Sequence, residues 1–134
     1  MSIKMFVNLP VKDLDASMTF YRALGFTFNP HFTDATAAAM VISDENYAML
    51  LTHAKFVSFT SRPIPDAKLT TGVLVALALE NKASVDAMLD KAISAGGTEP
   101  RPTADHGFMY QRTFEDPDGH TWEPFWMDPK AIPG

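Results

Sequence analysis

Glu123 is the residue whose chemistry most needs a partner. It stands between Trp122 and Pro124 in the run His120 to Trp126, which is rich in aromatic residues and reads as a strand. A carboxylate on a core strand requires a cation, a metal, a set of hydrogen-bond donors or a proton of its own. Two outcomes follow. Burial among apolar neighbours would raise its pKa and suit it to act as an acid or base, or to grip a donor on a ligand. Pairing with Arg112, on the expected partner strand, would lower the pKa and remove base catalysis. The four histidines are His31, His53, His106 and His120. They form no i, i+4 pair and no His-Glu-x-x-His pattern, so a metal or catalytic role would have to be assembled from them through space. Tyr110 is the candidate pocket hydroxyl. Asn8 alternates in step with Phe6, so its amide should share a face with that ring and orient a ligand there.

The elements that must position these groups are legible from periodicity and punctuation. Asp116-Pro117-Asp118-Gly119 is dense turn chemistry and predicts a hairpin joining Met109–Phe114 to His120–Trp126. Ile3 to Leu9 alternates as a strand bordered by Pro10, and Asp13 is placed to cap a helix that Gly25 stops. Strands are expected at Phe26–Thr33, Thr36–Ser43 and Tyr47–Thr52, with a short helical turn or ordered loop from His53 to Thr60. The pattern then restarts. Thr71–Leu79 is an apolar strand. Asn81 caps a helix with Val85, Met88, Leu89, Ala92 and Ile93 on one stripe, and Gly96-Gly97 ends it. Thr98–Thr103 reads as a strand interrupted by Pro100 and Pro102.

Each half is therefore strand, helix and three strands, and the repeat lies in the order of elements. The expected fold is α+β, one domain over 1–134. A first βαβββ unit spans 1–61, a linker 62–70, a second unit 71–128 and a tail 129–134. Two such units can pair around a cleft, which is where a ligand would go.

Composition limits the rest. A chain of 134 residues with net charge -5 has no basic cluster to replace the counterions of a nucleic acid. No apolar run is long enough to span a bilayer, and Met1-Ser2-Ile3-Lys4 lacks the apolar segment of a signal peptide, so a cytoplasmic location is expected. Without cysteine there is no disulfide, thiol nucleophile or zinc–thiolate site.

Asn8-Leu9-Pro10-Val11-Lys12-Asp13-Leu14 with Ser17, Phe20-Tyr21 and Leu24-Gly25-Phe26, together with Asp116-Pro117-Asp118-Gly119-His120 and Glu123, resembles the vicinal oxygen chelate superfamily. That group includes glyoxalase I, bleomycin-resistance proteins and extradiol dioxygenases. Met49–His53, Asp105–Tyr110 and Phe125–Asp128 are similar to a bacterial branch called "predicted lactoylglutathione lyase". The resemblance implies a divalent metal acting as a Lewis acid on a chelated substrate. It assigns the four metal-ligand positions to Phe6, Leu50, Leu74 and Glu123. Only the last can coordinate a cation, so no metal and no cofactor is expected at the usual place; a rearranged divalent site stays open. The resemblance implies a homodimer and an unknown small molecule; with Asn8 and Tyr110 added from the residues themselves, the expected ligand-binding set is Phe6, Asn8, Leu50, Leu74, Tyr110 and Glu123. Glu123 is the acid/base candidate if the chain is a glyoxalase-like lyase or isomerase.

Overall fold

A computed structural model describes residues 2–131. The chain forms two compact units, Met1–Asp66 and Ala67–Gly134.

In the first unit, β1 (Met5–Val11) is followed by α1 (Leu14–Ala23), β2 (Thr27–Asn29), β3 (Ala37–Val41), β4 (Asn46–Thr52) and the short helix α2 (His53–Val57). The sheet order is β1-β4-β3-β2, with β1 parallel to β4 and the other pairs antiparallel. The Asp13 carboxylate accepts from the Ala16 amide at 3.0 Å, satisfying one of the donors that a helix start leaves open. Gly25, at φ +101°, ends the helix in a conformation that side chains disfavour. Ser17, Phe20, Tyr21 and Leu24 are all buried. Full burial of a ring such as Tyr21 contributes about 1.5–3 kcal/mol. Pro10 is accommodated inside β1 because that strand is a sheet edge. Phe26–Thr33 does not remain extended. Asn29 ends β2, and its side chain accepts from the His31 amide, so Pro30–Phe32 turns into a single 3-10 turn.

In the second unit, β5 (Leu74–Ala78) leads to α3 (Lys82–Ser94), β6 (Ala104–Asp105), β7 (Met109–Gln111), β8 (Phe114–Glu115) and β9 (Thr121–Met127). Strand β9 is the axis: β5 runs parallel to it on one side, and β7 and β8 run antiparallel on the other. Asn81 caps α3 through the Ser84 amide at 2.8 Å. Thr98–Thr103 does not form a strand. It contributes one isolated bridge, Thr98 to Glu115, before the two prolines remove the donors a ladder would need. Of the expected tail, Pro129–Ala131 makes a 3-10 turn, and 132–134 lie outside the described residues. Among the described residues no helix is long and apolar enough to cross a membrane.

Candidate functional site

The hairpin around Asp116–His120 decides what Glu123 can meet. Asp116 is buried, and one oxygen of its carboxylate accepts from the amides of Asp118 (2.9 Å) and His120 (2.8 Å). The Gly119 amide donates back to the Asp116 carbonyl at 3.0 Å. With the turn held this way, Phe114 pairs with Trp122, the Arg112 amide donates to the Pro124 carbonyl, and Gln111 pairs with Phe125. The register is continuous, so side chains alternate strictly between two faces.

One face packs on α3. Trp122 is fully buried and stacks on Phe114 with ring centroids 6.2 Å apart. Tyr110 and Arg112 share this face. The Tyr110 hydroxyl donates to Asp86 of α3 at 2.6 Å. Arg112 donates to Asp86 at 2.9 Å and, through two nitrogens, to both oxygens of Glu99 at 2.9 Å each. The Tyr110 hydroxyl and then the Arg112 guanidinium hold the Asp86 carboxyl below its ordinary pKa. Arg112 does the same for Glu99, and the Asp86 hydrogen bond raises the Tyr110 phenol.

One expectation is corrected here, and one of the two outcomes open to Glu123 drops out. Tyr110 is not a hydroxyl of Glu123's face, and Arg112 does not neutralise Glu123, because both lie at even positions on the helix side. Tyr110→Phe is accordingly expected to lower stability by about 1 kcal/mol in urea unfolding. It should leave any ligand affinity at Glu123 unchanged.

The other face of this sheet is open. It carries Leu74, Ala76 and Ala78 from β5, Glu123 from β9, and Gln111 from β7. Glu123 is half-buried, and its Oε2 accepts from the Gln111 side-chain amide at 3.1 Å. Among the described residues no cation pairs with it. A cavity of about 830 Å³ lies over this face, lined by Leu74, Gln111, Thr113, Glu115, Thr121 and Glu123, with Lys68 and Arg101 also lining it. Gln111, Thr113 and Arg101 are not among the residues that the sequence singles out. The signal for the first two was available, since both stand at even offsets from Glu123 across a hairpin.

In the first unit, Phe6 and Asn8 are exposed on the face opposite α1. Phe6 is 54% exposed and stacks on Tyr47 with centroids 4.6 Å apart. Leu50 is not on that face. It pairs with Leu9 and Ala38 and is 0% exposed on the side that packs against α1. The residue of β4 opposite Asn8 is Met49.

A hard divalent cation takes oxygen or imidazole donors. At the positions the resemblance assigns, Phe6 and Leu74 offer hydrocarbon, Leu50 faces the helix, and Met49 would offer a thioether. Glu123 and the Gln111 amide beside it do not complete such a set, so the residues do not fit the chelated metal. The histidines do not supply the deficit: among the described residues no three of His, Asp or Glu gather into a metal-holding group.

Comparison with known proteins agrees with this architecture. A hypothetical protein from S. aureus superposes with a TM-score of 0.79 at 25% identity, over 94% of each chain. A glyoxalase/bleomycin resistance protein/dioxygenase family enzyme from Burkholderia phytofirmans gives 0.77 at 17% identity, over 94% of this chain and 99% of that one. A bleomycin resistance determinant encoded on the transposon Tn5 gives 0.66 at 20% identity, over 95% and 99%. No curated protein aligns significantly with the chain. The family model for Glyoxalase, the Glyoxalase/Bleomycin resistance protein/Dioxygenase superfamily, matches residues 3–123, from the first strand through Glu123 itself. With a strand, a helix and then a run of strands in both units, three after α1 and four after α3, and the Asp116–Gly119 hairpin in place, the chain belongs to the glyoxalase/bleomycin resistance protein/dioxygenase superfamily.

Proposed function

We propose that the chain is a small-molecule binding protein, similar in role to the bleomycin-resistance members of the superfamily, that takes its ligand without the family's metal. It would act as a cytoplasmic homodimer. The observation that carries this reading is the state of Glu123: half-buried on an open sheet face, steadied by one amide, with the hydrocarbon of Leu74 at the other assigned ligand position of the same sheet. A carboxylate so placed orients a ligand's donor, while Leu74 and the alanines of β5 give that ligand apolar surface.

The test is a pair of titrations on the intact chain. Divalent metals are expected to show no stoichiometric uptake. A thermal-shift screen of small molecules, bleomycin included, is expected to yield stabilising compounds whose effect is lost in Glu123→Gln. Tight uptake of one metal ion per chain, abolished by the same substitution, would overturn the reading.

One observation favours a second reading. With Arg112 committed to Asp86 and Glu99, Glu123 is not tied up in an ion pair among the described residues. A glyoxalase-like lyase or isomerase using Glu123 as base would turn over the hemithioacetal of methylglyoxal. That activity would vanish in Glu123→Gln.

A further inference from the structure

Around Glu123 the second sheet gathers hydrogen-bond acceptors. A carboxylate only accepts, so Gln111 must turn its Nε2 toward Glu123 Oε2, as it does at 3.1 Å, which leaves the Gln111 carbonyl oxygen to accept from another donor. The second oxygen of Glu123 meets no donor among the described residues. The hairpin register sets Thr113 opposite Glu123. Thr113 is only 4% exposed, yet it lines the cavity, and no hydrogen bond engages its hydroxyl among the described residues. Three acceptors from neighbouring positions of one sheet face therefore border one space, and one of them carries a full charge.

An alkylammonium group has three N–H donors and no acceptor, and it matches that set. The lining as a whole is not anionic. Lys68 and Arg101 balance Glu115 and Glu123 around the same cavity. A bare cation would gain less from such a lining than a molecule with charges of both signs. We propose that this cavity binds a small primary amine that also bears an acidic group. Its ammonium sits on Glu123, Gln111 and Thr113, and its acid end points toward Arg101 and Lys68. This inference rests on the binding-protein reading and names the class of ligand.

The experiment follows the Gln111 side-chain amide signals of the isotope-labelled full chain by NMR during titration with 6-aminohexanoate, hexylamine and hexanoate. The expected order of affinity is 6-aminohexanoate, then hexylamine, then hexanoate. Glu123→Gln keeps the side chain's shape and should weaken the two amines by about tenfold or more while leaving hexanoate unchanged. Thr113→Val should weaken the amines alone, and Arg101→Ala should bring 6-aminohexanoate down toward hexylamine. Failure of hexylamine to move the Gln111 signals, or equal binding by Glu123→Gln, overturns the proposal. If the small-molecule screen still returns an acidic or neutral compound that moves those signals, the binding-protein reading survives without the amine. If it returns none, both fall.

Discussion

Gly119→Ala is expected to lower the melting temperature by about 10 °C, equivalent to about 3 kcal/mol for a chain of this size. Two independent costs combine. Gly119 has φ +91°, which strains any residue with a Cβ. A Cβ added there would also stand 2.9 Å from the Ala67 carbonyl carbon and 2.9 Å from the Lys68 amide nitrogen, backbone atoms that cannot rotate away. Gly25→Ala separates the two terms. Gly25 has φ +101° but open space around the position, so that variant should lose only about 1–2 kcal/mol. A calorimetric scan of both variants decides it, and equal melting points would show that the Ala67–Lys68 approach costs nothing. The consequence reaches the site, because this turn sets the register that puts Gln111 and Thr113 on Glu123's face.

Arg112→Ala is expected to lose about 2 kcal/mol at neutral pH and to flatten the acid limb of the stability curve. The guanidinium is largely buried and bridges Glu99, through two bonds, to Asp86 of α3. Its loss leaves two carboxylates facing each other without a cation. Both have folded pKa values below their ordinary ones. Their contribution is therefore present above the unfolded carboxylate range, near pH 4, and disappears as pH falls through the lowered folded values. Wild type should accordingly lose stability from about pH 5 downward. Arg112→Ala, which keeps only the Tyr110 share at Asp86 and loses the Glu99 share, should lose less over the same range. The Asp86 side chain is 46% exposed, so solvent screens its share and Glu99 supplies more of the difference. Parallel urea unfolding series from neutral to acid pH measure both effects. Parallel slopes for the two proteins would contradict the assignment.

Much of the architecture was legible without coordinates. Asp13 and Asn81 announce helix starts because a short polar side chain satisfies an amide that the helix cannot. Gly25 and Gly96 announce the ends because both take φ near +100°. The Asp116–Gly119 turn and the carboxylate of Glu123 were equally plain, since turn residues and a charge amid aromatics act locally. What chain order could not settle was the side of the sheet. In Tyr47–Thr52, Met49, Leu50 and Leu51 are all apolar, so alternation is silent. Pairing with Leu9 and Ala38 is what turns Leu50 toward α1 and leaves Met49 beside Asn8. On the hairpin, a one-residue change in turn length would exchange Tyr110 and Arg112 for Gln111 and Thr113 as the companions of Glu123. The sequence by itself determined that a carboxylate stands on the last strand after a tight turn. The tertiary structure alone decided its neighbours, because a period of two assigns faces only after hydrogen bonds between strands have chosen the register.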